Sequence, residues 1–302
     1  MTLICQREDA MLTRLLSALF LCAIARGASA EIFDPFAVPF KQTDLQYPNS
    51  AQPYGKEHAD MLFKPEGGGP FPGLVMVPVC GGETYSHALH DWAKRAIDRG
   101  YAVMVADPLW QRKVEDNCDD PIPVPMSRML KDAFDAAAAL RKQPFVDPRR
   151  VGIVGFSQNA NTVLALSGMP YSRYLGAPPF AAIVSFYPSC EMRGVKTIKR
   201  SDPVDIRFIA EEPDVPLLVL LGDKDTIAPL KERNCEKMLD DRKARGSPVA
   251  YKIYPATHIW DWPELPQLGW KDVTYDPDVT EQSARDAFAF LDKELKAQKS
   301  GD

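Results

Sequence analysis

The sequence predicts an α/β protein built on a mostly parallel central sheet of about 7–8 strands, with helices on both faces. Three observations carry this. Short runs such as Gly73–Val79 (GLVMVPV), Tyr101–Ala106 (YAVMVA) and Val215–Leu221 (VPLLVLL) are apolar throughout instead of alternating, as strands buried on both faces must be. Between these runs lie segments of helical periodicity, long enough to carry the chain back for another parallel strand. Composition agrees: of 302 residues, 45% are hydrophobic and 25% charged, the balance of a folded globular chain. That balance excludes a disordered polymer, and the single short apolar stretch near the N-terminus excludes a multi-span membrane protein.

In chain order, an irregular proline-rich lead runs from Glu31 to Pro53, and Glu57–Phe63 reads as a short strand. Gly67-Gly68-Gly69-Pro70 makes a turn into the strand Gly73–Val79. Residues 84–99 place Leu89, Trp92, Ala93, Ala96 and Ile97 at helical spacing, and Gly100 ends that helix. Tyr101–Ala106 is a strand, 107–126 a loop rich in proline and aspartate, and Ser127–Lys142 an alanine-rich amphipathic helix. The strand Val151–Phe156 passes at once into a helix from Ser157 to about Ser167. Strands at Phe180–Tyr187, Val215–Leu221 and Val249–Tyr254 follow, with helices at Pro229–Arg245 and Thr280–Lys296. With no repeat and no dividing linker, residues 31–302 read as one domain.

Ahead of that domain stands an address. Arg14 precedes an apolar run of eleven residues, Leu15–Ala25, and Ala28-Ser29-Ala30 has the small-x-small pattern of a cleavage site. Residues 1–30 therefore read as a secretory signal, with Met11 as its natural start because Glu8 and Asp9 do not suit a signal's leading segment. The run is too short to span a bilayer, so no stable membrane anchor is expected after cleavage, and the protein is expected in the periplasm or secreted. Lys plus Arg number 36 and Asp plus Glu 41, a net charge of −5 that argues against nucleic-acid binding. After cleavage Cys80, Cys118, Cys190 and Cys235 remain, an even number in an oxidising compartment. None forms a CxxC pair, so neither a zinc site nor a thioredoxin-like site is expected, and spacing alone leaves three disulfide pairings open.

Gly155-Phe156-Ser157-Gln158-Asn159 is the most informative segment. A serine on a sharp strand-to-helix turn is held clear of the sheet, and the Gln158 N–H at the helix N-terminus can face a developing oxyanion. The usual pattern is G-x-S-x-G, and the last glycine is here Asn159. Taken alone, the segment also suits a serine that merely caps a helix. The order downstream favours chemistry. VPLLVLL ends in Gly222-Asp223-Lys224-Asp225, and VAYKIY ends in Pro255-Ala256-Thr257-His258. Nucleophile, acid and base thus follow three strands in the order Ser, Asp, His, the order of an α/β-hydrolase. Of the four histidines, His58 falls in an edge strand and His87 and His90 share a helix face without a third metal ligand. Only His258 is placed to serve Ser157.

Those segments, together with Pro78-Val79-Cys80-Gly81-Gly82, make the chain resemble the exported members of the dienelactone hydrolase family from about Tyr54 to Lys296. The resemblance implies an α/β-hydrolase fold and a triad of Ser157, Asp225 and His258. Asp225 is preferred to Asp223, and Asp261 is set aside because it follows the base. It further implies an oxyanion hole from the backbone N–H groups of Cys80 and Gln158, disulfides Cys80–Cys118 and Cys190–Cys235, and no metal or organic cofactor. Relatives often carry histidine and glycine where this chain has Pro78 and Val79.

The expected activity is hydrolysis of small carboxylic esters or lactones through an acyl-enzyme. The competing reading is a hydrolase-fold binding or accessory protein of the periplasm that does no chemistry, motivated by Pro78, Val79 and Asn159. The loop Asp107–Pro125 and the stretch Glu191–Pro216 are expected to wall the pocket, with Trp110, Tyr187, Trp260 and Trp262 as candidate lining. The sequence does not encode an oligomeric state.

Overall fold

A computed structural model of the protein describes residues 31–32, 44–48, 62–82, 87–118, 123–168, 170–195, 204–229, 234–265 and 271–297. The signal segment 1–30, most of the lead 31–53, His58 and residues 57–61 of the first expected strand lie outside the described residues. In chain order the elements are β1 (Glu31–Ile32), β2 (Leu62–Phe63), β3 (Phe71–Val77), α1 (His87–Asp98), β4 (Ala102–Val105), a short 3₁₀ turn at Trp110–Arg112, α2 (Met126–Arg141), β5 (Val146–Phe156), α3 (Gln158–Ala165), α4 (Pro170–Leu175), β6 (Ile183–Phe186), β7 (Glu191–Val195), β8 (Val204–Arg207), β9 (Leu217–Gly222), α5 (Cys235–Ala244), β10 (Val249–Tyr254) and α6 (Pro277–Lys296).

Seven strands form the main sheet in the order β10-β9-β6-β5-β3-β4-β2. All its pairs are parallel except the short edge strand β2, which runs antiparallel to β4. Successive side chains point to opposite faces, and both faces are dry. Leu74, Met76, Val154, Phe156, Val184 and Phe186 join one core with the apolar stripes of α1 and α6. Their neighbours Val75, Val77, Ile153, Ile183 and Val219 join a second core with α2, α3 and α5. This is the α/β-hydrolase arrangement, and it gathers the C-terminal ends of the parallel strands at one edge of the sheet.

Several boundaries differ from the sequence reading. β5 begins at Val146 and not Val151, because Val146 pairs with Phe71 across an irregularity in register. α6 begins at Pro277 and not Thr280: the Asp276 carboxylate accepts the Val279 N–H, and Pro277 suits the first turn. The structure also contains a three-stranded sheet of β1, β8 and β7, and the short α4, neither of which the sequence reading anticipates. Among the described residues, no helix is long and apolar enough to cross a membrane.

Candidate active site

Ser157 sits between the end of β5 and the start of α3 at φ 53°, ψ −119°, a conformation that is strained for any residue with a Cβ. Its N–H is held by the Phe186 carbonyl at 3.1 Å and its carbonyl accepts from Ala160 at 2.9 Å. The turn is tight enough that Gly155 is obligatory. A Cβ there would stand 2.6 Å from the Asn159 carbonyl oxygen and 2.7 Å from Val163 Cγ1.

His258 reaches this turn from the loop after β10. Its Nε2 lies 2.8 Å from Ser157 Oγ, and its Nδ1 lies 2.6 Å from Asp225 Oδ2. A carboxylate can only accept from Nδ1–H, which leaves Nε2 as the acceptor for the serine hydroxyl. Asp225 is itself fixed, because its Oδ1 accepts the N–H groups of Ile227 at 2.9 Å and Ala228 at 2.7 Å. Asp225 and His258 are buried, whereas Asp223 is exposed. A hydroxyl so placed, with its proton directed at an oriented imidazole, can attack an electrophilic carbonyl carbon.

The loop after β3 faces the serine. Cys80 is bonded to Cys118, with Cα atoms 4.9 Å apart, which fastens residues 107–118 to that loop. A side-chain lock lies beside the bridge. Asn117 Nδ2 donates to Gln158 Oε1 at 2.9 Å, and Gln158 Nε2 donates to the Asn117 carbonyl at 2.8 Å. Asn117 also exchanges hydrogen bonds with the Val124 backbone at 2.9 and 2.8 Å, and its N–H bonds the Cys80 carbonyl at 2.8 Å. The residue after the serine is thus tied to the cavity wall through its side chain. Asn159 makes a parallel tie, its Nδ2 donating to the Pro78 carbonyl at 2.6 Å. The two departures from the family pattern therefore touch one another. Cys190–Cys235, with Cα atoms 5.4 Å apart, joins the loop after β6 to the start of α5.

Two adjoining cavities, about 480 and 300 Å³, open at Ser157 and His258. Trp262 lines the first and Tyr187 the second. Two of the expected lining residues do not. Trp110 stands on the 3₁₀ turn, 54% exposed, and borders neither cavity, because the turn directs it outward. Trp260 is fully buried behind the site, its Nε1 donating to Ser283 Oγ at 3.1 Å and its ring edge-on to Tyr187 at 4.9 Å. Trp262 packs in the same buried core as Trp260 but also lines the larger cavity, whereas Trp260 does not. His90 lies half-buried on α1, and among the described residues no group of three metal-ligating side chains gathers.

Asp261 holds a different post from Asp225. Its Oδ2 accepts from Trp92 Nε1 at 2.7 Å and its Oδ1 from Tyr187 OH at 2.9 Å. Burial pushes its carboxyl above the usual carboxylate range, and burial likewise pushes the Tyr187 phenol well above its ordinary value, so the phenol stays a donor. Tyr187 in turn sets its ring edge-on to the His258 imidazole, centroids 4.9 Å apart. Asn117, the Gln158 side chain and Ile227 are site residues that sequence reasoning missed, and Asp261 was weighed there only as a triad acid.

A sequence model of the dienelactone hydrolase family matches residues 59–295. Among curated proteins none matches the chain by sequence. A dienelactone hydrolase candidate from Klebsiella pneumoniae superposes with a TM-score of 0.55 at 22% identity, covering 75% of this chain and 88% of that one. A dienelactone hydrolase-like promiscuous phosphotriesterase, P91, from metagenomic libraries superposes with a TM-score of 0.54 at 22% identity over 75% and 87% of the two chains. A thermophilic esterase from the planctomycete Thermogutta terrifontis gives 0.54 at 15% identity over 79% and 89%. At these identities the structural likeness speaks to the shared fold.

Proposed function

The chain belongs to the dienelactone hydrolase family of carboxylic ester hydrolases, and from that premise we propose that it cleaves small carboxylic esters or lactones with Ser157 as nucleophile, His258 as base and Asp225 as its orienting acid. The carrying observation is the continuous relay from Ser157 Oγ through His258 to Asp225, at 2.8 and 2.6 Å. Ser157 Oγ attacks the carbonyl carbon as its proton passes to His258 Nε2. The carbonyl π electrons move to oxygen, and that oxyanion is held by the backbone N–H groups of Cys80 and Gln158. Collapse expels the alkoxide, which takes the proton from His258 and leaves an acyl-serine. Water then attacks the acyl carbon, giving its proton to His258, and the acid departs as Ser157 Oγ recovers that proton.

Asn159, donating to the Pro78 backbone carbonyl, stands where a glycine is usual without displacing Ser157 from His258, which supports a working elbow over a binding protein that has lost its chemistry. A fluorophosphonate probe, mapped by mass spectrometry, is expected to label Ser157 and no other serine. Absence of label on folded protein would return the binding reading. Added alcohol acceptors would separate hydrolysis from acyl transfer by the products formed. The chain is further proposed to act after export, as one domain from Glu31, supported by the signal-like layout of residues 11–30 and by the two disulfides.

A further inference from the structure

Two cavities flank one nucleophile, and their walls differ. Both share Ser157, His258 and the Cys80–Cys118 bridge, with Ile227, 51% exposed, at the opening of each. The larger is completed by the apolar Val79, Ile259 and Trp262 and by one carboxylate, Asp116. The smaller is completed by Met126, Met129 and Tyr187, together with the uncharged groups of Gln158, Asn161 and Ser189. Among the described lining residues, Asp116 is the one formally charged side chain apart from the His258 imidazole. Asp116 stands exposed at the rim of this cavity, where its Oδ1 accepts the Cys118 N–H at 3.1 Å beside the bridge.

An ester has two halves about the carbon that the serine attacks, and two lobes about one serine match that division. A carboxylate on either half would have to shed water without a counter-charge, and in the larger lobe it would meet a charge of its own sign. We propose that the site takes esters whose acyl and alcohol halves are both uncharged and largely apolar, one in each lobe, and that Asp116 is a specificity residue that turns away carboxylate-bearing substrates. This rests on the serine-hydrolase reading and narrows it. Because Asp116 is exposed, the effective dielectric lies close to that of water, and one like charge a few ångströms away is worth about threefold to tenfold in binding, less in salt.

The test is a matched pair, p-nitrophenyl heptanoate and mono-p-nitrophenyl adipate, which differ chiefly in a terminal carboxylate. At low ionic strength the wild type is expected to favour the heptanoate by at least about tenfold in kcat/KM. Asp116→Asn keeps an acceptor for the Cys118 N–H and is expected to lower that preference by about threefold to tenfold, through the KM of the adipate. Molar salt is expected to erode the wild-type preference in the same direction. Equal use of both esters, with both rates abolished in Ser157→Ala, would overturn the proposal and leave the hydrolase standing. A preference untouched by Asp116→Asn and by salt would overturn the role of Asp116. No turnover of either ester together with no fluorophosphonate label would bring down the hydrolase reading itself, and this inference with it.

Discussion

Ser157, Asp225 and His258 stand on loops at the C-terminal ends of parallel strands, whereas the wall opposite them, residues 107–118, holds only one 3₁₀ turn. On the strand side, backbone ladders do most of the positioning. β9 pairs with β6 and with β10, and β6 pairs with β5, so the three residues inherit their spacing from one rigid sheet. On the wall side no ladder is available. Covalent and side-chain ties take its place: the Cys80–Cys118 bridge, the Asn117–Gln158 amide pair, and Arg112 held by both oxygens of Asp132 at 2.7 and 2.9 Å. The lesson is a division of labour. Sheet ends fix Ser157, Asp225 and His258, the proposed reacting groups, while cross-links fix the opposite cavity wall. Damage to the first should appear as lost rate, and damage to the second as lost stability and altered substrate use.

The largest expected effect breaks the strand side. Asp225→Asn leaves the volume unchanged but inverts the tautomer logic at His258, and kcat/KM for a small ester is expected to fall by about 10³–10⁴ in steady-state kinetics. The exposed Asp223→Asn should stay within about twofold, and equal losses at both positions would undo the assignment of the acid. The wall comes next. Replacing Cys80 and Cys118 together by serine is expected to lower the unfolding free energy by about 2–4 kcal/mol in urea titrations. Asn117→Ala strips partners from Gln158 and Val124 at once and should cost about 1–3 kcal/mol by the same method.

Asp261 gives a smaller, pH-dependent signature. Its carboxyl is raised by burial, so the fold binds that proton more tightly than the unfolded chain does, and the resulting stability is present below the ordinary carboxylate range and lost as pH rises through the raised value. Asp261→Asn cannot titrate. Any advantage of wild type over that variant should therefore shrink as pH rises above the ordinary carboxylate range, measured by denaturant unfolding at each pH. Widening over that rise would contradict the burial argument. The smallest effect is expected at Trp110→Ala, within about 0.5 kcal/mol in stability and with unchanged ester kinetics, because that ring borders neither cavity.

The same contrast explains what the sequence made legible. Apolar runs of the buried-strand kind announce β3, β4, β5, β6 and β9, and residues placed at the ends of β5 and β9 could be read off with them. β7 (EMRGV) and β8 (VDIR) are short and mixed in polarity, so their pairing follows from tertiary context and leaves no pattern in the chain. Asn117 was invisible for a related reason: a single asparagine in an acidic loop has no periodicity, and its partners lie 41 residues away at Gln158 and 7 away at Val124. Trp260 and Trp262 look equivalent beside the base, and only the tertiary packing, which leaves Trp262 at the cavity and Trp260 behind it, tells them apart.

The most direct measurement is hydrolysis of a short-chain p-nitrophenyl ester by the protein from Glu31 onward, beside Ser157→Ala and His258→Ala. Turnover by the wild type, with both variants lower by about 10³-fold or more while keeping the same thermal unfolding profile, is the predicted result. Wild-type turnover that survives in either well-folded variant would contradict the assignment of this serine and histidine to the chemistry.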